Sequence, residues 1–418
     1  MTRSGRRARV TVVTSGHLST CPRMLKSADA FAAAGYEVRV IATRHEPWAT
    51  DTDRDVAARR TWTADTIDYR RGDSGATYWW TGARYRAARA AAAWIGPQRV
   101  PQSVVSRAFG RVHSELVRAI SADPGDLIYG GTTGALAAIA EAGRRSRTPY
   151  AVDLEDFHGG ETSGADAALV DALATRVEQD VIGGAAFVTT ASEAIASAYR
   201  DRDGIDTPVI HNTFALPPQA PDVSRADPSR LRLYWFSQTI GPGRGLEDAV
   251  LALGRAGVAA HLALRGRPQA GYLDALRTLA AGHAPRTEVV HLAPAPPDAM
   301  VDCARGYDVG LALEQMTPVN RQLCLTNKAF TYILAGMAVA VTDTPGQHAL
   351  GVDLGRAAAL VPVSDVDALA AAFARWANDP AELDCAKRTA WNAATRRWHW
   401  EHELERGRLY SLVQAVLS

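Results

Sequence analysis

The chain has 418 residues, 47% hydrophobic and 22% charged, with a formal net charge of +1. That is the composition of an ordinary globular protein with length for two domains rather than one core. Its 46 basic and 45 acidic residues exclude a nucleic-acid protein held by bulk electrostatics. Cys21, Cys303, Cys324 and Cys385 stand far apart with no C-x-x-C pair, so reduced thiols are expected, with no disulfide frame and no zinc site. No window holds the ~18 unbroken apolar residues of a membrane span. The basic start MTRSGRRARV runs into a β-branched strand rather than a signal-peptide core, so the cytoplasm is the expected location.

Residues 9–15, RVTVVTS, read as a first strand, followed by a turn at Gly16-His17. CPRMLKSADAFAAAGYEVRVIAT then gives a helix with apolar residues at helical spacing, a stop at Gly35 and a second strand. G-x-G-x-x-G is absent from this βαβ unit, which argues against a tightly held dinucleotide. Residues 46–115 are less legible, with Trp48, Trp62, Trp79, Trp80, Trp94 and many Arg. Within them Arg84 to Gly96 predicts a helix with a basic start. It is either a solvated insertion helix or one that makes peripheral contact with an anionic membrane surface or guides an acceptor.

DLIYGG, YAVDLEDFHGGE and AAFVTTAS supply further strands, with helices after each. PVIHNTF is a short strand and turn, and Asn212 within it reads as structural. Ala215 to Arg230, ALPPQAPDVSRADPSR, can hold neither ladder nor helix and is the expected linker. The alternation then restarts. LRLYWFSQTI is a strand, GPGRG a loop and LEDAVLALGRAG an amphipathic helix. AHLALRG and TEVVHLAP are strands around the helix GYLDALRTLAAG, and AAALVPV with DVDALAAAFARWAND adds one more pair. Trp391 to Ser418 reads as helix with Trp400, Leu404, Leu409 and Leu412 on one face. Strands and helices alternating on both sides of a linker predict an α/β protein with two doubly wound domains.

Gly310 to Asp343 is the most informative stretch. GLAL and AVAVTD read as buried strands. A polar loop from Glu314 to Leu325 and a helix from about Asn327 to Ala335 lie between them, with Asn327 as the expected cap and Gly336 as the stop. The helix start offers unpaired N–H groups to an anion, and Lys328 adds a full charge there.

FSQTIGPGRGLEDAV, LTNKAFTYILAGMAVAVTD, the Pro-rich hinge and the Trp-bearing terminal helix together resemble GT-B glycosyltransferases. The likeness is to the large retaining, family 4-like group that holds sucrose synthases and mannosyltransferases. It covers nearly the whole chain outside roughly 46–115. It implies two Rossmann-like domains facing across a cleft: residues 1–222 on the acceptor side, 223–392 on the donor side, and 393–418 as a helix crossing back. It implies hexosyl transfer from a nucleotide-diphosphate sugar to a small-molecule, glycan or lipid hydroxyl. Retention without a metal or other cofactor is expected, and no nucleic-acid partner.

The resemblance also assigns residues. Arg244 and Lys328 match the two cations that meet the donor diphosphate. Gly16, Gly241, Gly243 and Gly245 match positions where the backbone approaches it. Arg265, Glu314, Asn327 and Thr331 complete the expected donor set. His158, in the acidic turn VDLEDFHGGE, matches the group near the reacting sugar. His17, Arg23, Glu155 and Asp156 are expected on the acceptor side, the two acids alternatively as helix caps. The group's two Glu, eight positions apart, are missing: Leu323 and Thr331 stand in their places, and the second Glu is the ribose partner. A nucleotide-sugar epimerase or hydrolase on the same fold, or a catalytically silent binding protein, therefore remains open. No G-x-S-x-G, H-E-x-x-H or Walker loop occurs.

Overall fold

The computed structural model describes residues 6–72, 75–224, 227 and 229–418. The first five residues of the basic N-terminal stretch, and 225, 226 and 228 of the expected linker, lie outside the described residues. Contacts divide the chain into two units. One holds the residues up to Ile210 together with Arg406–Ser418; the other is His211–Glu405.

The first unit is built on β1 (Arg9–Thr14), β2 (Glu37–Arg44), β3 (Thr63–Asp68), β4 (Leu127–Gly131), β5 (Tyr150–Leu154) and β6 (Val188–Thr190). They form one six-stranded sheet in the order β3-β2-β1-β4-β5-β6, with parallel pairing throughout. The second unit repeats the plan. Its strands are β7 (Leu231–Ile240), β8 (Ala260–Pro268), β9 (Thr287–Leu292), β10 (Val309–Ala312), β11 (Ala338–Thr342) and β12 (Ala358–Val361). The order is β12-β11-β10-β7-β8-β9, again parallel. Counted from each unit's own first strand, both orders are the doubly wound 3-2-1-4-5-6. Each sheet reverses direction once, between β1 and β4 and between β7 and β10, and ligands of such sheets bind outside the carboxyl ends at that reversal.

Both faces of the second sheet are covered, which is why its strands read as unbroken apolar runs. Successive residues of β7 serve opposite faces. Leu231, Leu233 and Trp235 join one buried cluster with the helix Leu246–Ala256 and the helix Val366–Asn378. Tyr234 and Phe236 join the other with the helix Asn327–Leu334 and Ala390, Ala393 and Ala394 of the helix Pro380–Arg396.

Four expectations are corrected. β3 was not foreseen, because four of its six residues are exposed and it lies at the sheet edge, so it needs no apolar run. The helix foreseen from Arg84 begins earlier and spans Ala76–Ile95. The tail is not one helix: Pro380–Arg396 ends before a π-helical turn at Glu403–Gly407, and Arg408–Leu417 follows. Its buried face uses Leu409 and Val413, while Leu404 is exposed. The observed boundary falls at 210/211, not 222/223, and only 406–418 returns to the first unit. The cause is packing: His211 donates its backbone N–H to Glu405 at 2.6 Å and the Trp400 N–H reaches the Phe214 carbonyl at 2.8 Å, which ties 211–214 to the end of the second unit.

Candidate active site

At the sheet reversal of the second unit, the loop after β7 and the loop after β10 come together. Gly243 and Gly245 take φ of +69° and +70°, which lets the chain turn sharply into the helix Leu246–Ala256. A Cβ on Gly245 would stand 2.6 Å from the Leu313 Cβ at the end of β10, so glycine is what lets the two loops approach. Gly241 faces only the flexible Gln269 side chain, 2.7 Å from its would-be Cβ. Within β10, Gly310 leaves room for the Tyr332 ring, and the Tyr332 hydroxyl donates to the Leu311 carbonyl at 3.1 Å. That contact seats the helix Asn327–Leu334 on the sheet and carries Lys328 to the same end of β10.

Three cations gather there around one carboxylate. Lys328 Nζ donates to Glu314 Oε1 at 2.8 Å and to Thr326 Oγ1 at 3.1 Å, and lies 5.8 Å from the Trp235 ring centroid. Arg321 Nη1 is 3.7 Å from Glu314 Oε2 and donates to the Gly243 carbonyl at 3.2 Å. Burial would raise Glu314, but Lys328, then Arg321 and Arg244, outweigh it and bring the carboxyl down to about 2. Arg244 is lowered from its ordinary value, first by burial and then by the charge of Arg321. Among the described residues its guanidinium has no hydrogen-bond or ion-pair partner. A half-buried cation beside two others, with no partner of its own, is poised for an anion.

In the first unit, His158 opens a short 3-10 turn after β5 and is buried. Nδ1 lies 3.2 Å from Glu161 Oε2 and 3.3 Å from Thr133 Oγ1, while Nε2 is buried with no hydrogen-bond partner among the described residues. Burial would lower this imidazole, yet Glu161, Glu178 and Asp156 overcome it and raise the group to about 9. It is a charged donor at neutral pH. Thr132, next to Thr133, has φ of +75° and binds the Ser15 backbone N–H at 2.9 Å through Oγ1, which closes the β1–β4 reversal. Burial pushes Glu155 up to about 7 against the pull of Arg23.

Residues 22–213 match the sequence model of the family described as the glycosyl transferase 4-like domain. That segment is a glycosyltransferase domain. No curated protein sequence matches the chain. Solved structures share its fold across nearly the whole length. Anabaena HepE, solved with UDP and glucose, is 16% identical with a TM-score of 0.66, covering 98% of this chain and 99% of its own. Sucrose-phosphate synthase of Thermosynechococcus elongatus is 15% identical with a TM-score of 0.70, at 98% and 100% coverage. A glycosyltransferase of Rickettsia africae is 9% identical with a TM-score of 0.66, at 99% and 100% coverage. The chain therefore carries a glycosyl transferase 4-like domain over 22–213 and, along nearly its whole length, the two-unit GT-B fold of these structures.

Several site residues expected of a glycosyltransferase are committed elsewhere in the fold. His17 is buried; its Nε2 accepts from the backbone N–H groups of His45 and Glu46 at 3.1 and 2.9 Å, so Nδ1 donates to Asp53 at 2.6 Å. Neither ring nitrogen is left for an acceptor. Arg23 is 2% exposed and grips Asp153 through Nε and Nη2 at 2.5 and 2.9 Å, with Nη1 on the Ile210 carbonyl at 2.7 Å. It is an internal strut, not a surface hand for phosphate. Arg265 is taken up by the Tyr234 hydroxyl at 2.8 Å and the Ala293 carbonyl at 2.7 Å. Thr331 is fully buried, with Oγ1 3.4 Å from the Asn327 carbonyl of its own helix. Asn327 is the first helical residue rather than the cap, which is Thr326. Gly16 is needed for space, since a Cβ there would stand 2.6 Å from Cys21 Sγ. Sequence reasoning missed Arg321, Thr133 and Glu161. Arg321 was visible as the only cation in the Glu314–Leu325 loop, and Glu161 stood three residues after His158 in the quoted turn.

Proposed function

We propose that the chain transfers a sugar from a nucleotide-diphosphate sugar to an acceptor hydroxyl, with retention of anomeric configuration, without a metal, in the cytoplasm. The reading rests on one observation: Arg244, with no hydrogen-bond or ion-pair partner among the described residues, stands with Arg321 and Lys328 around Glu314 at the reversal of the second sheet. As the sugar–oxygen bond breaks, its electron pair passes to the diphosphate, and negative charge grows on the leaving oxygen. Fixed cations stabilise that charge without reorganising. The acceptor oxygen bonds to the anomeric carbon on the face the diphosphate leaves, and its proton passes to the departing phosphate oxygen. Gly241, Gly243 and Gly245 are assigned to the diphosphate backbone contacts, and Asn327 to the helix N-terminus that meets it. Glu314 positions the cations. The first unit takes the acceptor side, with His158 as a charged donor to a sugar hydroxyl and Glu155 and Asp156 toward the acceptor.

A thermal-shift panel of nucleoside diphosphates tests the reading. A ligand at a hundred times its dissociation constant should add ~2.7 kcal/mol, and Arg244→Ala should abolish the gain. A second reading, a silent binding protein, draws on Leu323 and the buried Thr331, which supply no carboxylate to a ribose. Absence of any shift across the panel would favour it. Release of free sugar or an epimer from donor alone would instead indicate a hydrolase or epimerase.

A further inference from the structure

The helix Ala76–Ile95 carries an exposed apolar face that the nucleotide site does not use. Trp79, Trp80 and Trp94 are 62%, 67% and 88% exposed. At 3.6 residues per turn they share one side with Ala83, Ala87 and Ala90, all exposed. The opposite side, Thr81, Gly82, Ala88 and Ala92, is buried where the helix packs on its neighbour Gln102–Phe109. Arg111 pins it further, donating to the Tyr78 carbonyl at 2.8 Å. The orientation is therefore fixed by the fold, and the tryptophans face outward.

Charge borders the stripe. The helix holds Arg84, Arg86 and Arg89 and no acid, and residues 69–111 contain eight arginines against one acid, in a chain whose net charge is +1. The acids that face it from neighbouring elements are Glu115, 2.6 Å from Arg84, and Asp166, 3.7 Å from Arg89. Three large indoles on a flat bed of alanines, edged by arginines, match the boundary between headgroups and acyl chains, where tryptophan is favoured and arginine meets lipid phosphate. No helix among the described residues is long and apolar enough to cross a membrane, so this one would lie in the surface.

We infer that the helix Ala76–Ile95 docks the first unit on an anionic lipid bilayer, with Trp79, Trp80 and Trp94 inserted at the headgroup level. The inference does not depend on the donor chemistry. The full chain is floated with vesicles of phosphatidylcholine mixed with phosphatidylglycerol, and with pure phosphatidylcholine vesicles. Binding to the anionic vesicles, weakened by salt, is expected. The triple change Trp79→Ala, Trp80→Ala and Trp94→Ala should weaken it about tenfold or more, with an unchanged circular dichroism spectrum because all three side chains are exposed. Arg86→Glu should weaken it on anionic vesicles alone. Equal binding by the triple variant, equal binding to both vesicles, or no binding to either overturns the inference. So does a lipid-free dimer that the triple variant dissolves, which would make the face an interface between copies.

Discussion

Lys328→Met gives the sharpest test of the cation cluster. Lys328 is 8% exposed at its side chain and holds a buried carboxylate at 2.8 Å, and removing it leaves Glu314 with Arg321 at 3.7 Å and the nearby Arg244. Deleting one partner of a buried pair costs about 3–5 kcal/mol. Two remaining cations put the expected loss at the lower end, about 3 kcal/mol. If Lys328 also meets the departing diphosphate, turnover should fall by about a hundredfold to a thousandfold, the worth of one preorganised group at a developing anion. The double variant Lys328→Met with Glu314→Gln separates the effects, because a neutral amide no longer needs the ammonium. Its stability should return most of the way while its turnover stays low. Chemical denaturation reads the first quantity and release of nucleoside diphosphate the second. Wild-type turnover in the single variant refutes the proposed role. So does turnover that recovers with stability in the double variant, since Lys328 would then act through folding alone.

His158 is raised to about 9 from an ordinary 6.5, despite burial, chiefly by Glu161. A raised folded-state value means its contribution is complete below pH 6.5 and lost as pH rises through about 9. The shift corresponds to about 3 kcal/mol. Denaturation midpoints of wild type and His158→Gln should therefore converge with rising pH, and a constant gap across that window refutes the charged imidazole. Arg23→Met should cost about 3–5 kcal/mol by stranding Asp153, with turnover of the folded fraction within a few-fold of wild type. A variant of normal stability that has lost turnover would return Arg23 to the site. Gly245→Ala and Gly243→Ala share a left-handed φ, but only the former meets Leu313. Gly243→Ala should cost about 1 kcal/mol and Gly245→Ala at least about 2 kcal/mol, read by thermal denaturation. Equal costs would show that Leu313 yields and that the close approach of the two loops is not enforced.

Strands buried on both faces were plain in the sequence because they need unbroken apolar runs, and β7, β10 and β11 were read at once. β3 was hidden because an edge strand tolerates the polar TADTID. The placement of Arg244 and Lys328 at one end of the second sheet was legible because each follows a local signal, a Gly-rich turn and a helix start. The roles of His17 and Arg23 were not, because their partners Asp53 and Asp153 lie 36 and 130 residues away. A cation on a helix start looks the same in sequence whether it awaits a ligand or locks onto a distant acid. Arg321 escaped for the complementary reason: its importance comes from Glu314 and Gly243, which the chain brings to it only after β10 is laid beside β7.

The missing carboxylates lead to a prediction about the donor. In the group this chain resembles, a Glu at the position of Thr331 holds the ribose hydroxyls. Here that position is 0% exposed, and its hydroxyl lies 3.4 Å from the Asn327 carbonyl. Glu314 is drawn to Lys328 at 2.8 Å and Arg321 at 3.7 Å, and is assigned to those cations rather than to a ribose. A site that pairs a substrate hydroxyl with a buried polar group rejects the analogue lacking it strongly, since the group is then stranded. A site without such a group has nothing to strand. Ribonucleoside and 2′-deoxyribonucleoside diphosphates are therefore expected to bind within a few-fold of each other, with affinity carried by the diphosphate on the cation cluster. Calorimetric titration of the nucleoside diphosphate that gives the largest thermal shift, against its 2′-deoxy counterpart, measures the ratio. A ribose preference of a hundredfold or more would mean that another side chain has taken over the lost carboxylate's task, and the assignment of affinity to charge alone would fall.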